Sequence, residues 1–151
     1  MVLEMSVIRK SCEADIEAVL LVWLAASEQA HHFVPSSFWR EQLDAMKHVY
    51  LPSSKNYVYE KDDQIVGFYA LVDDTLAAIF VLPEKQGQGI GQQLIADAKA
   101  RCCSLQLSVY KRNLASVAFY KKQGFEVAGE ELEALTGQQQ LIMRWHNTIG
   151  V

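Results

Sequence analysis

From Asp15 onward, apolar residues recur at three- and four-residue steps: Ile16, Val19, Leu20, Trp23 and Leu24. That spacing is the period of one helix face, and it predicts a first helix. Ahead of it, "MSVIRK" alternates weakly and reads as a first strand. Pro35 with Ser36 as a candidate cap marks a second helix, which Phe38, Leu43, Met46 and Tyr50 continue until Pro52. The texture then changes. "NYVYEKDDQIVGFYALVDDTLAAIFVLP" is rich in β-branched and aromatic residues and is broken by two acidic pairs, Asp62-Asp63 and Asp73-Asp74. It predicts an antiparallel meander of three strands joined by tight turns. Residues 89–101 return to helical spacing, with Leu94, Ile95 and Ala98 inward. "LQLSVY" is a short strand, and residues 113–123 form a helix with Val117, Phe119 and Tyr120, ended by Gly124. "FEVAGEELEAL" and "QQQLIMRW" close the chain as a strand pair around Gly137. The predicted order is β-α-α-β-β-β-α-β-α-β-β, one α/β domain over residues 1–151.

Composition narrows the class. The length suits one domain, and half the residues are hydrophobic, enough for a core. No apolar run approaches the roughly 18 residues of a membrane span, and the N-terminus lacks a signal-peptide pattern. Three cysteines, Cys12, Cys102 and Cys103, are an odd number, which points to reduced thiols and a cytoplasmic protein. No Cys/His spacing has the form of a zinc site. The net charge of −4 conceals an asymmetry: residues 85–125 hold seven cations against Asp97 alone. Such a compact basic segment suits a local anionic ligand better than a nucleic-acid track, although a lysine-rich solvated surface has the same composition.

The candidate chemistry begins at "PEKQGQGIGQQLIADA", where Gly87, Gly89 and Gly91 precede a helix. The first N–H groups of a helix have no internal acceptor, and glycines let the backbone approach a phosphate closely. The dinucleotide fingerprint fails here, because Gln92 stands where its last glycine belongs. The nucleoside-triphosphate loop fails too, because Gln92-Gln93 follows Gly91 in place of Lys-Ser/Thr. The pattern that fits is Q-x-x-G-x-G over residues 86–91. Farther on, "LSVYKRNLASVAFYKKQGFEVAG" puts Asn113 and Tyr120 two helical turns apart on one face.

On these two motifs, in this order, the chain resembles the GNAT superfamily of N-acetyltransferases, and in particular its small bacterial members. The resemblance runs over about residues 7–145. It implies a mixed, mostly antiparallel sheet of about seven strands, splayed at the acetyl-CoA site and flanked by four helices. It also implies direct acetyl transfer from acetyl-CoA to a primary amine, with neither a metal nor a covalent acetyl-enzyme. The strand residues Ile79, Phe80 and Val81 would hold the pantetheine arm through their backbone. Gln86, Gly87, Gln88, Gly89, Ile90, Gly91 and Gln92 would hold the pyrophosphate. Backbone N–H of Phe80 or Val81 would polarise the carbonyl. Asn113 would bond the pantetheine, although its position equally suits a helix cap.

Tyr120 matches the family's general acid. A phenol with a reference pKa of about 10 stays protonated at neutral pH and can give its proton to a departing thiolate. Many relatives place a glutamate base five residues before the Asn; here that position is Ser108. His31 in "AHHF" is the leading substitute, since imidazole titrates near neutrality. Glu28 or Glu41 through water, or no dedicated base, are alternatives. Trp23, Phe33, Phe38, Trp39 and Tyr69 are expected to shape the acceptor side. The acceptor is left open among a protein lysine, a peptide N-terminus and a small amine. No nucleic-acid or membrane partner is implied, and an exposed strand or helix face is available to build a homodimer. Two rival readings stand beside this one. One is a non-catalytic acetyl-CoA sensor, and the other is a nucleotide in the same turn.

Overall fold

The computed structural model describes residues 5–147; residues 1–4 and 148–151, included in the one-domain expectation, lie outside that range. Seven strands form one sheet in the order β1-β2-β3-β4-β5-β7-β6. They are β1 Ser6–Lys10, β2 Lys55–Lys61, β3 Gln64–Val72, β4 Thr75–Val81, β5 Ser104–Tyr110, β6 Glu126–Leu132 and β7 Gln139–His146. The four main helices are α1 Ile16–Ala30, α2 Ser36–Glu41, α3 Ile90–Arg101 and α4 Leu114–Lys122. Beyond α2 the chain keeps winding through Leu43–Ala45 and a π-helical turn at Met46–Tyr50. The expected second helix is therefore irregular, and Ser36 does not cap it: Pro35 is the flanking residue and no side-chain cap bond forms.

The acidic pairs make the tight turns of the meander. Asp62, Asp63 and Asp73 take positive φ of 50°, 66° and 53°, angles that short polar side chains tolerate in two-residue hairpins. β2, β3 and β4 pair antiparallel, for example Val58↔Phe68 and Tyr69↔Ile79, with register shifts at Tyr59/Glu60 and at Ala70/Leu71. Side chains alternate across β3. Gly67 and Tyr69 face α3, where a Cβ on Gly67 would lie 3.3 Å from Leu94 and the Tyr69 hydroxyl donates to Asp97. Val66 and Phe68, fully buried, face the opposite way, and α1 also packs on β3 and β4. The core thus fills both faces of the sheet. Burying one such side chain contributes about 2 kcal/mol.

One polar cluster ties the start of α1 to the sheet. Arg9 on β1 donates to Asp15 at 2.7 Å and to Glu60 on β2 at 2.6 Å. Asp15 also accepts the Cys12 N–H at 2.8 Å. The guanidinium holds the Asp15 carboxyl well below the usual carboxylate range.

Two features of this architecture position a site. β4 and β5 run parallel and pair at Thr75↔Gln106; beyond that point they diverge. The divergence leaves Ile79, Phe80 and Val81 half-buried although β4 is the middle strand of the sheet. α3 and α4 begin near the open end of this split, each fed by a short turn from one of its two strands.

Candidate active site

The turn between β4 and α3 has the geometry of an anion cradle. Gly87 and Gly89 take φ of +79° and +81°, which cost other residues roughly 1–2 kcal/mol each, and an added Cβ at either would meet nothing within 4 Å. Gly91 is glycine for a different reason. Its added Cβ would lie 3.4 Å from Phe119 on α4, so the first turn of α3 packs directly on the helix that carries Tyr120. Gly89 ends the turn as the flanking residue of α3, with no side chain capping the exposed N–H groups. Two glutamines are engaged within the protein. Gln86 Nε2 donates to the Val81 carbonyl at 3.1 Å, fastening the turn to β4, and Gln88 Oε1 accepts from Lys61 Nζ at 3.2 Å. Gln92 is exposed beside them, and Ile90 is buried as the anchor of the first turn.

The second helix mouth holds Asn113 and Tyr120. Asn113 is buried and caps α4, its Oδ1 accepting the Ser116 N–H at 3.2 Å. The cap uses the oxygen and leaves the amide nitrogen for a ligand acceptor. Tyr120 is half-buried, its ring edge-on to Phe119 at 5.4 Å and to Phe125 at 5.9 Å. Burial pushes its phenol above the ordinary value, so it carries a proton throughout the neutral range. The end of α4 is fixed as expected: Gly124 has φ +91°, and Phe125 N donates to the Tyr120 carbonyl at 3.0 Å.

His31 ends α1 inside an aromatic box. Its ring lies 4.9 Å from Tyr110, 5.1 Å from Trp39 and 5.9 Å from Phe33. This burial lowers the imidazole to about 4, so it is neutral at pH 7. Its Nδ1, the Ser27 hydroxyl one turn earlier on α1 and the Trp39 indole N–H are enclosed without hydrogen-bond partners among the described residues. The sequence suggested a histidine titrating near neutrality; the fold gives a weaker base, neutral at pH 7. Beside the box a groove of about 220 Å³ is lined by Phe33, Phe38, Glu41, Leu135 and Thr136, among others. Glu28 faces Arg40 at 3.5 Å instead.

Two further expectations change on contact with the structure, those for Tyr69 and for the basic segment. Tyr69 is sealed beneath α3, bonded to Asp97 and Arg101, and has no part in the acceptor side. Ser108 is exposed on β5 opposite Ile142, with no hydrogen-bond partner among the described residues to activate its hydroxyl. The basic segment is largely spent on structure. Lys99 donates to the Gln123 carbonyl and sits over Trp145, Arg101 pairs with Asp97, Lys111 pairs with Glu130 at 2.9 Å, and Arg112 lies over Phe33. The charge count therefore overstated the free positive field. Lys61, from outside that segment, reaches the glycine turn by donating to Gln88.

A family model described as Acetyltransferase (GNAT) domain matches residues 15–144. The chain belongs to the GNAT acetyltransferase family. Peptidyl-lysine N-acetyltransferase YiaC of Escherichia coli (strain K12) is 31% identical over 139 residues, 91% of this chain and 95% of that protein. Peptidyl-lysine N-acetyltransferase YjaB of Salmonella typhimurium is 33% identical over 123 residues, 81% of this chain and 84% of that one. The solution structure of apo-form YjaB from Escherichia coli superposes with a TM-score of 0.83 at 27% identity, covering 97% of this chain and 99% of that one.

As a GNAT acyltransferase the chain uses acetyl-CoA, and the residues present suit that cosubstrate. The half-buried backbone of Ile79–Val81 along the split offers an edge for an amide-bearing arm, and the open glycine turn at its end offers N–H groups to a diphosphate. Two residues beside the groove escaped the sequence reading. Tyr110 forms a wall of the His31 box, and Glu133 accepts the Tyr110 hydroxyl at 2.7 Å. The signal available for Tyr110 was its place on β5, two residues past Ser108 and hence on the same strand face. Nothing local marks Glu133, which is 23 residues farther along the chain.

Proposed function

We propose that this GNAT enzyme acetylates the ε-amino group of a protein lysine. Supporting this reading are the β4/β5 split with the open glycine turn that follows β4, and a groove beside the His31 box that combines apolar side chains with one carboxylate, Glu41. Phe33, Phe38 and Leu135 suit the aliphatic stem of a lysine, and Glu41 suits its ammonium head. The naming of YiaC and YjaB as peptidyl-lysine acetyltransferases supports the same acceptor class.

Bound acetyl-CoA supplies an activated acetyl thioester. The backbone of Ile79, Phe80 and Val81 aligns the pantetheine arm, and an N–H of Phe80 or Val81 polarises the carbonyl. The amides of residues 86–91, with Gln92 in reach, grip the diphosphate, and Asn113 Nδ2 donates to the arm. Tyr120 holds a proton at its hydroxyl for the departing sulfur. His31, neutral in its aromatic box, accepts the proton that the amine loses on attack. Holding amine and thioester together supplies much of the rate. The whole chain, 1–151, works as one domain in the bacterial cytoplasm. The three free cysteines suit a reducing compartment, and no helix among the described residues is long and apolar enough to cross a membrane.

The test is mass-spectrometric detection of acetyl transfer from acetyl-CoA to lysine-containing peptides, with small amines and peptide N-termini as competing acceptors. Transfer to lysine is expected, slowed in Tyr120→Phe and His31→Ala. Binding of acetyl-CoA without turnover on any amine would leave the non-catalytic sensor. An unchanged rate and pH profile in His31→Ala removes the base.

A further inference from the structure

Glu133 sits in the loop between β6 and β7, outside every motif read from the sequence, yet it collects three side-chain donors. Its Oε1 accepts the Tyr110 hydroxyl at 2.7 Å and the Thr136 hydroxyl at 2.7 Å, and its Oε2 accepts Gln140 Nε2 at 3.2 Å. Its backbone closes the same loop: Glu133 N donates to the Gln138 carbonyl at 2.9 Å, and Gly137 N donates to the Glu133 carbonyl at 2.8 Å. Gly137 has φ +70°, so the loop turns where only a glycine does so without strain.

Tyr110 connects this loop to the opposite wall of the cleft. Its hydroxyl is on Glu133, while its ring is 4.9 Å from His31 and 5.5 Å from Phe33. The groove next to these rings takes Phe33 and Phe38 from the α1–α2 side, and Leu135 and Thr136 from the loop that Glu133 holds. Leu135 is otherwise 70% exposed, so packing alone does not fix the loop in place. A carboxylate hydrogen bond to a buried phenol is a charge-assisted contact, stronger than a neutral one and short enough to fix the geometry.

We infer that Glu133, through Tyr110, is a positioning residue that sets the width of the acceptor groove and so its affinity for the amine. The inference rests on the groove being the acceptor side of the proposed lysine acetyltransferase. Glu133 touches neither the thioester split nor the glycine turn, so its effect falls on the amine and spares acetyl-CoA.

The test uses four variants of the full chain: Tyr110→Phe, which keeps the ring against His31, Glu133→Ala, Glu133→Gln, and the double Tyr110→Phe/Glu133→Ala. A short peptide with a central lysine is the acceptor probe. Tyr110→Phe and Glu133→Ala should each raise the peptide KM by about three- to tenfold, with kcat and the acetyl-CoA KM changed less than about twofold. The double variant should match Glu133→Ala, which has already lost the Tyr110 contact. Glu133→Gln, which retains an acceptor oxygen, should recover most of the peptide affinity. Hydrogen–deuterium exchange provides the second measurement, with faster exchange over residues 133–138 expected in Tyr110→Phe. Additive KM effects, an equal rise in the acetyl-CoA KM, or unchanged loop exchange overturns the inference. A wild-type chain that acetylates no amine sinks the transferase reading instead, and loop exchange then decides the clamp by itself.

Discussion

Gly91 on α3 and Phe119 on α4 are in van der Waals reach, with 3.4 Å between the Phe119 ring and the Cβ that Gly91 lacks. This contact joins the helix that follows the glycine turn to the helix that carries Tyr120, the proposed acid. A side chain larger than glycine at 91 therefore presses on the helix that carries Tyr120.

The three glycines should respond differently. Gly87→Ala and Gly89→Ala meet no steric neighbour but force a side chain into a left-handed backbone. Each should cost about 1–2 kcal/mol at the turn and raise the acetyl-CoA KM by roughly tenfold. Gly91→Ala should fold and bind nearly normally, whereas Gly91→Val should lower the Tm by several degrees, because Phe119 is blocked by its own packing. Isothermal titration with CoA and thermal melts separate the two behaviours. Equal losses at all three positions would contradict the assignment.

Tyr120→Phe isolates a single proton. The ring packing on Phe119 and Phe125 is retained, so stability should change by less than about 0.5 kcal/mol. The value of kcat should fall by about a hundredfold with both KM values unaltered, the signature of an interaction made in the transition state alone. Steady-state kinetics at pH 8 with a lysine peptide checks this, and a variant as fast as the wild type would take the acid role from Tyr120.

His31 makes stability depend on pH. Its folded pKa of about 4 lies below the unfolded value of about 6.5. As pH falls from 7 toward 4, the unfolded chain takes up a proton first, so the fold is progressively destabilised, by up to about 3 kcal/mol. Above pH 7 the contribution is flat. His31→Phe fills the same aromatic box without a titrating group and should abolish this part of the slope. Urea unfolding at pH 7.5, 6 and 4.5 on both proteins measures it, and parallel slopes would show that the histidine is not buried in solution.

The Arg9–Asp15–Glu60 cluster acts in a lower window. Its guanidinium depresses the Asp15 pKa, so that stability is complete above the ordinary carboxylate range near pH 4 and drains away as pH falls below it. Asp15→Asn loses the charge and the paired geometry at the start of α1 and should cost about 2 kcal/mol at pH 7. Acid unfolding of this variant should begin from that lower plateau with a shallower slope below pH 4.

Ser108→Ala should leave turnover within about twofold. The hydroxyl is exposed and has no base to activate it, so it offers only a site for water. A hundredfold loss would make Ser108 part of the proton path and displace His31 from it.

What the sequence determined by itself was everything that depends on neighbours within a few residues. Helix faces at 19, 20 and 23, the acidic two-residue turns, the glycine cradle, the Asn113 cap and the Gly124 stop are each set by local sterics, dihedral demands or the helix period. Tertiary structure alone decided which distant groups meet. Tyr69 found Asp97, Lys61 found Gln88, and Tyr110 found Glu133 across 28, 27 and 23 residues. Partners of that kind are fixed by strand order and by how the helices lie on the sheet, quantities that no local pattern carries. The same packing turned His31 from a group expected to titrate near neutrality into a buried ring that is neutral at pH 7. It also spent most of the basic segment on holding helices and strands in place.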